Sequence, residues 1–282
     1  MNKIHPKAVI EGGAELGNYV EIGPFAVIGS CVKIGDGTSI QAHAVIEGNV
    51  TIGSENFIGP GCVIGASPQD LSFKSETQSG VTIGNNNAIR EYCTIHRGTA
   101  EGTNTAIGHD NFLMVGTHIG HNCTIANNVV IANNCLLAGY VQVDDGAFIG
   151  GGSTFHQKMR VGRLVMVQGS SAFGKDLPPF TLAAERNAIF GLNIVGLKRA
   201  GFKAEEREQI KRAFRLLYLS GLNLTQAFEQ AASTDLGPLG REFFEFVSEA
   251  KLRGICPYRG KKDRGADAAG EVYGDGRAAP AA

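Results

Sequence analysis

The chain of 282 residues is 43% hydrophobic, 19% charged and 7% aromatic, with 39 Gly and a formal net charge of −1. This balance gives no broad basic surface for nucleic acid, and no apolar run approaches the length of about 18 residues that predicts a membrane span. The N-terminus shows no apolar signal segment and the 6 Cys residues form no CxxC pair, so we expect a cytoplasmic protein.

A large apolar residue recurs at every sixth position over two long stretches, from Ile4 to Ile64 and from Ile107 to Phe173. Between these stretches the same step appears at Ile83, Ile89 and Ile95. A period of six fits neither a lone helix nor an alternating strand, but it is typical of a parallel β-helix in which each hexad is a short strand and a turn. The sequence therefore predicts a solenoid with coils of 18 residues, although the repeat alone does not determine its handedness.

The repeat is interrupted twice, over 66–82 and over 97–106. Insertions in solenoids are loops that leave one corner, and such loops often carry function. Small residues occupy the position two places before many repeated aliphatics, and four Cys residues fall there, which indicates packing at crowded corners: Cys62, Cys93, Cys123 and Cys135.

After residue 180 the pattern changes to helical spacing. A helix is predicted over 204–221, with Ile210, Phe214 and Leu217 on one face, and two more helices follow, one after Thr225 and one over about 239–252. The Gly, Ala and charged residues from 257 to the end predict a disordered tail. The expected domains are a β-helix over 1–180, a small helical domain over 181–256 and the tail over 257–282.

Three coils bring candidate catalytic residues into one column. With 18 residues per coil, positions 121, 139 and 157 stack, so His121, Gly139 and Gln157 lie about 5 Å apart along the axis. A neutral His near pH 7 can take the proton of a hydroxyl, and a Gly N–H can stabilise the oxyanion formed when that hydroxyl attacks a thioester. The column predicts acyl transfer without a covalent enzyme intermediate, although each His could instead only cap a polar face.

A zinc site is an open alternative, because His118 and His121 together with His96 or His156 could supply ligands. No Asp or Glu beside them is placed as a proton partner, and no Walker or GxGxxG motif precedes a helix. We therefore expect no metal and no nucleotide cofactor.

Several motifs resemble those of the UDP-N-acetylglucosamine O-acyltransferases, in the same order and spacing over about residues 1–256. They are the hexads, Gln69-Asp70-Leu71, IREYCTIHRGT (89–99), HIGHNCTIANN (118–128), LAGYVQVDD (137–145), FHQ (155–157), DLPPF (176–180) and GLNIVGLKRAGF (191–202). The resemblance implies an all-β solenoid, a left-handed parallel β-helix of hexapeptide repeats with a small α-helical C-terminal domain. It also implies a homotrimer with active sites between subunits, an acyl carrier protein as donor, a UDP-N-acetylhexosamine as acceptor, and the first step of lipid A biosynthesis.

The resemblance also implies site residues. His121 matches the general base and Gly139 the oxyanion donor, in agreement with the column. Gly169 matches the position that helps to set acyl chain length. The positions that match substrate-binding residues are Gln69, Asp70, His118, His156, Gln157, Asn193 and Arg199.

Four positions depart from the family pattern. Tyr140 stands where the family usually has His, and Asn122 replaces an Asp, which removes a possible orienting carboxylate beside His121. Val195 replaces an acidic residue near the uridine site, and Ala200 replaces a basic residue.

A basic stripe on the predicted helix 204–221 is a candidate docking site for the acidic carrier protein. Arg207, Lys211 and Arg215 are spaced four residues apart, and Lys198 and Lys203 precede them. An ordinary solvated helix face is the alternative.

The predicted activity is transfer of a (3-hydroxy)acyl chain from acyl carrier protein to the 3-position of UDP-N-acetylglucosamine. Alternatives are the same chemistry on a 3-amino UDP-sugar, a later N-acyltransferase of the pathway, a zinc hydro-lyase of the same fold, and a non-catalytic paralogue that binds sugar nucleotide.

Overall fold

The computed structural model describes residues 1–250 and 252–260, and most hexads in it form a strand of two residues followed by a turn. Before the first insertion the strands are β1 (Lys3–Ile4), β2 (Val9–Ile10), β3 (Glu15–Leu16), β4 (Glu21–Ile22), β5 (Val27–Ile28), β6 (Val32–Ile34), β7 (Ser39–Ile40), β8 (Val45–Ile46), β9 (Asn49–Ile52), β10 (Phe57–Ile58) and β11 (Val63–Ala66). Between the insertions they are β12 (Gly80–Ile83), β13 (Ala88–Ile89) and β14 (Thr94–His96). After the second insertion they are β15 (Asn104–Ile107), β16 (Phe112–Leu113), β17 (His118–Ile119), β18 (Thr124–Ile125), β19 (Val130–Ile131), β20 (Leu136–Leu137), β21 (Gln142–Val143), β22 (Phe148–Ile149), β23 (Thr154–Phe155), β24 (Arg160–Val161), β25 (Met166–Val167), β26 (Ala172–Phe173), β27 (Thr181–Ala184) and β28 (Ala188–Leu192).

These strands form three sheets that enclose one core, and all their strand pairs are parallel except β27 with β28. The first sheet has the order β1-β4-β7-β10-β13-β16-β19-β22-β25-β27-β28, the second β2-β5-β8-β11-β14-β17-β20-β23-β26, and the third β3-β6-β9-β12-β15-β18-β21-β24. Strand pairs step by one coil of 18 residues, as in Lys3 with Glu21 and His118 with Leu136. The predicted parallel β-helix and its coil length are confirmed.

The repeated aliphatic residue of each hexad points into the prism, where it is buried from Ile22 to Phe173. Burial of one such side chain stabilises the fold by about 1.5–3 kcal/mol, but only when the neighbouring coils cover it. The four Cys residues at the small-residue position are also buried, as predicted.

One corner of the prism contains a buried ladder of asparagines. The Asn87 amide nitrogen donates to Asn56 Oδ1 at 3.0 Å and to the Gly108 carbonyl at 2.9 Å. Asn87 Oδ1 accepts from the Asn111 backbone N–H at 3.0 Å. Each amide thus satisfies backbone groups that a tight turn leaves without a partner.

Two of the three outer surfaces are apolar. The first sheet presents mainly large apolar side chains outward: Phe57, Phe112, Val130, Phe148 and Met166. The N-terminal half of the second sheet presents a column of valines: Val9, Val27, Val45 and Val63. The third sheet instead presents polar side chains: Thr51, Thr82, Thr124 and Gln142.

The chain beyond the last coil forms a hairpin and four helices. Strands β27 and β28 pair antiparallel, and α1 (Ile194–Arg199), α2 (Ala204–Tyr218), α3 (Leu224–Ser233) and α4 (Gly237–Ser248) follow. The three predicted helices are confirmed, whereas α1 was not predicted. The helix predicted over 239–252 ends four residues earlier, and Asn223 caps α3 by accepting from Gln226 N.

Two arginines join the helices to the β-helix. Arg160 bonds Asp176 at 2.9 Å and the Phe246 carbonyl at 2.7 Å. Arg163 forms a two-bond pair with Glu242 at 2.7 and 2.8 Å. Bidentate pairs of this kind fix orientation as well as distance.

The start of the predicted tail is ordered. Tyr258 forms a β-bridge with Ile189, and the Arg259 N–H donates to the Ile189 carbonyl at 2.8 Å. The disorder predicted from residue 257 is therefore wrong for 257–260, and residues 261–282 lie outside the described residues. Over the described ranges, every helix is too short or too polar to cross a bilayer.

Candidate active site

A cavity of about 590 Å³ lies on the second sheet and on the turn between the second and third sheets. Six residues predicted for the site line it together: Gln69, His118, His121, Gly139, His156 and Gln157. The cavity lining as a whole comes from loops and from five successive coils, which the stacking of the coils brings together.

The column of His121, Gly139 and Gln157 exists as predicted. The N–H of Tyr140 donates to the His121 carbonyl at 2.9 Å, and the N–H of Lys158 donates to the Gly139 carbonyl at 2.9 Å. These bonds hold the three turns directly above one another.

Gly139 and the His121 ring are in close contact. A β-carbon on Gly139 would come within 2.3 Å of Nε2 and Cε1 of His121, so only Gly allows the ring to lie there. Gly139 is buried, whereas the equivalent turn residues Asn133 and Gln157 are exposed. Within residues 1–250 and 252–260, its N–H has no acceptor, which leaves it available to an oxyanion in the cavity.

The Asn122 side chain orients the His121 ring. Its Oδ1 lies 3.0 Å from His121 Nδ1, and because this oxygen can only accept, Nδ1 carries the proton and Nε2 is the basic nitrogen. The amide thus fills the orienting role that was expected to be lost with the carboxylate.

Two further histidines beside His121 are held neutral. Burial lowers the pKa of His96 to about 4, with a smaller effect from His118 and His121. Burial likewise lowers the pKa of His118, whose Nδ1 lies 2.7 Å from the Thr94 hydroxyl. The rings of His96 and His118 meet edge to face at 5.0 Å, so the cavity offers neutral imidazoles to a ligand.

The first insertion brings Gln69 to the cavity. Its irregular part extends over 67–79, and Arg97 holds it by contacts with the Thr77 and Ser75 carbonyls, both at 3.3 Å. Asp70 is exposed, and hydrogen bonds from Ser72 lower the pKa of its carboxyl. The second insertion is irregular over 97–103 and reaches the turn of Asn122 through Thr99.

Four predicted site residues lie outside this cavity, namely the exposed Asp70 and three residues further along the chain, Asn193, Arg199 and Gly169. Asn193 caps α1 by accepting from Gly196 N at 2.9 Å, and its amide donates to the Leu164 carbonyl at 2.9 Å. Arg199 ends the same helix and is exposed, as are Val195 and Ala200. Gly169 lies at the turn between the first and second sheets, on the opposite edge of the second sheet from His121.

Arg186 and Asn187 also line the cavity, although no sequence pattern points to them. They lie in the turn between β27 and β28, beyond the last hexad, where the period of six no longer assigns a position. His96 is a third lining residue that was considered only as a metal ligand.

The basic stripe on α2 is partly neutralised. Lys211 and Arg215 both contact Glu208, at 3.1 and 3.4 Å, and the Arg207 guanidinium bonds the Phe202 carbonyl. In the described part of the chain, no group of three His, Cys, Asp or Glu side chains is arranged to hold a metal ion, so the zinc alternative gains no support.

Two family models match the chain. The model described as Udp N-acetylglucosamine O-acyltransferase, Domain 2, matches residues 176–256. The model described as Bacterial transferase hexapeptide (six repeats) matches residues 31–66 and 104–139. The first covers the last turn of the prism and the helices, and the second covers coils on both sides of the insertions.

Known proteins resemble the chain over nearly its whole length. An acyl-[acyl-carrier-protein]--UDP-N-acetylglucosamine O-acyltransferase of Thermodesulfovibrio yellowstonii is 46% identical over 260 residues, which is 91% of this chain and 100% of that protein. The UDP-N-acetylglucosamine acyltransferase structure from Campylobacter jejuni is 38% identical with a TM-score of 0.85, over 91% of this chain and 100% of the other. The corresponding structure from Bacteroides fragilis is 43% identical with a TM-score of 0.84, over 89% and 98%. With these matches, the fold is the left-handed parallel β-helix with a small helical C-terminal part.

Proposed function

This chain belongs to the UDP-N-acetylglucosamine O-acyltransferase family, and from that membership we infer that it transfers an acyl chain from acyl carrier protein to UDP-N-acetylglucosamine. The reaction is the first step of lipid A biosynthesis. The acceptor atom is the 3-hydroxyl oxygen of the sugar, and the product is an ester.

The contact between His121 and Gly139 is the observation that carries the mechanism. Nε2 of His121 removes the proton of the sugar hydroxyl as its oxygen attacks the thioester carbonyl. The buried N–H of Gly139 donates to the oxyanion of the tetrahedral intermediate. When the intermediate collapses, the carbon–sulfur bond breaks and the His121 imidazolium returns its proton to the thiolate of the carrier, so the base is regenerated.

The lining residues supply contacts for the sugar nucleotide. His118 and His156, together with Gln69 and Gln157, offer hydrogen bonds to hydroxyl and amide groups. Asp70 lies beside this group on the loop 67–79. Arg186 also lines the cavity, and a guanidinium is a group that suits a diphosphate.

A homotrimer would complete the site. Asn193 and Arg199, which match UDP-binding positions, lie on α1 and outside the cavity of their own chain. The apolar outer faces of the first sheet and of the N-terminal half of the second sheet fit a head-to-tail contact, in which the first sheet of one copy covers the second sheet of the next, and such a contact forms a ring when its rotation closes after three copies. Each cavity would then receive α1 of a neighbouring copy.

Three further assignments belong to the same proposal. Gly169 takes the position whose size helps to set the length of the acyl chain, and glycine there leaves room for a longer chain. The cations of α2 meet the acidic carrier protein despite the contacts with Glu208. The boundary between the β-helix and the helical domain lies at residue 180. The protein is located in the cytoplasm, which six free cysteines support.

The decisive experiment is a mass-spectrometric assay of the purified protein and its His121→Ala variant. The mixture contains 3-hydroxyacyl carrier proteins of different lengths with UDP-N-acetylglucosamine, and a parallel reaction contains the 3-amino analogue. We expect acylated UDP-N-acetylglucosamine from the wild type only. A product made solely from the 3-amino sugar would show that the acceptor is the 3-amino sugar. Activity of His121→Ala equal to that of the wild type would overturn the assignment of His121 as the base.

A further inference from the structure

A chain of polar side chains connects the second insertion to the base. The Tyr140 hydroxyl lies 3.0 Å from the Thr99 hydroxyl, and the Thr99 hydroxyl donates to Asn122 Oδ1 at 2.9 Å. Asn122 Oδ1 in turn lies 3.0 Å from Nδ1 of His121. The Tyr140 ring also packs edge to face against the His121 ring, with centroids 5.2 Å apart.

The direction of every hydrogen bond in this chain is fixed by its surroundings. Asn122 Nδ2 donates to the Thr103 hydroxyl at 2.9 Å, and the Thr103 hydroxyl donates to the Ala100 carbonyl at 2.7 Å. The Thr99 backbone N–H also donates to Asn122 Oδ1, at 2.9 Å. A reversed Asn122 amide would face the Thr99 backbone N–H, which can only donate, with its NH2 group, and the Thr99 hydroxyl would have to turn its proton away from the amide, so the observed orientation is the compatible one.

This direction determines which nitrogen of His121 is the base. Because Asn122 presents an oxygen, Nδ1 of His121 carries the proton and Nε2 is free to accept one. If the amide turned over, its NH2 group would face Nδ1, the proton would move to Nε2, and the ring could not act as a base on the substrate side.

We propose that Thr99 is a positioning residue that fixes the orientation of the Asn122 amide and thereby the reactive tautomer of His121. The hydrogen bond between the Tyr140 and Thr99 hydroxyls holds the Thr99 side chain in place. The proposal rests on the proposed function, in which His121 is the base. A carboxylate at position 122 would accept from His121 Nδ1 in either orientation. The His121 tautomer therefore depends on Thr99 only because this chain carries an amide at position 122. The second insertion thus acts in catalysis by holding the Asn122 amide.

The test compares Thr99→Val in two backgrounds, the wild type and Asn122→Asp. In the wild-type background we expect kcat to fall by about 10- to 100-fold while the KM for UDP-N-acetylglucosamine changes less than about twofold. In the Asn122→Asp background the same substitution should cost less than about threefold, because the carboxylate does not need to be locked. Thr99→Ser should restore activity, and Tyr140→Phe should cause a smaller loss than Thr99→Val.

Matched controls are Thr124→Val on the polar third sheet and Tyr19→Phe at another corner, and neither should change kcat.

Two-bond 1H–15N spectra of the His121 ring read the tautomer directly. They should show a protonated Nδ1 in the wild type and a mixture of the two tautomers in Thr99→Val. Equal losses in both backgrounds, or an unchanged tautomer in Thr99→Val, would overturn the proposal. An active His121→Ala variant would instead overturn the proposed function, so the two failures are distinguishable.

Discussion

The imidazole of His121 lies so close to Gly139 that any side chain at position 139 would displace it, since a β-carbon there would stand 2.3 Å from Nε2. The backbone of Gly139 is not in the left-handed region, so alanine is tolerated by the chain itself. We therefore expect Gly139→Ala to fold normally and to lose about 100-fold or more in kcat, because the base is pushed away from the substrate oxygen.

Steady-state kinetics and thermal unfolding of Gly139→Ala separate these two effects. Gly12→Ala is the matched control, since no atom lies within 4 Å of the added β-carbon. Full activity of Gly139→Ala would show that His121 works from a different position.

The period of the hexads is enough to predict much of this site. The spacing of 18 residues places His121, Gly139 and Gln157 in one column, because inward aliphatics force each turn to stack on the previous one. Thr99 and Arg186 could not be placed in the same way. They lie in an insertion and in an antiparallel hairpin, where register depends on tertiary contacts that no period encodes. The orientation of the Asn122 amide could not be predicted either, since it follows from the two threonines of the insertion.

Arg186 should contribute to binding and not to the chemical step. We expect Arg186→Gln to raise the KM for UDP-N-acetylglucosamine by about 10-fold with little change in kcat, because a contact with the diphosphate is made equally in ground and transition states. Calorimetric titration with UDP should show the same weakening. Arg241→Gln, on the exposed face of α4, is the control, and a fall in kcat alone for Arg186→Gln would contradict the assignment.

The asparagine ladder should be a large local contribution to stability. Asn87→Leu leaves the Gly108 carbonyl and the Asn111 N–H without their partner inside the prism, whereas Asn56 Oδ1 keeps only the backbone N–H of residue 87. We expect the free energy of unfolding to fall by about 3 kcal/mol or more, since each buried unsatisfied group costs about 1–3 kcal/mol. Denaturant unfolding measures the loss, and Thr82→Ala on the outer surface should change stability by less than about 0.5 kcal/mol.

Asp144 should make stability depend on pH. Burial raises the pKa of this carboxyl to about 6, against the opposing attraction of Arg160, while Asp145, Glu242 and Glu249 add to the rise. A carboxyl with a higher pKa in the folded state than in the unfolded state binds its proton more tightly when folded, so stability falls as pH rises from about 4 to about 6. The stability of the Asp144→Asn variant lacks this contribution to the pH dependence.

Thermal unfolding from pH 4 to pH 8 tests the sign of this effect. The stability of Asp144→Asn relative to the wild type should increase from about pH 4 to about pH 6 and then stay constant. A relative stability that decreases with pH would mean that Asp144 is stabilised as an anion, through Arg160. Asp110→Asn, an exposed turn residue, should show no such dependence.

Two inactive variants should restore each other if α1 of one copy completes the cavity of the next. His121→Ala lacks the base, and Arg199→Ala lacks a cation that lies outside the cavity of its own chain. In a ring of three copies assembled at random from equal amounts, a site has both residues intact when a chain with His121 is followed by one with Arg199. This occurs in about one site in four of the whole mixture and in about one site in three of the mixed rings, so co-expressed and doubly purified mixtures should regain about a third of the wild-type activity. The separately purified variants, mixed without exchange of subunits, should stay inactive. If the co-expressed mixture also stayed inactive, Arg199 would serve the cavity of its own chain, and the copies would not share the site.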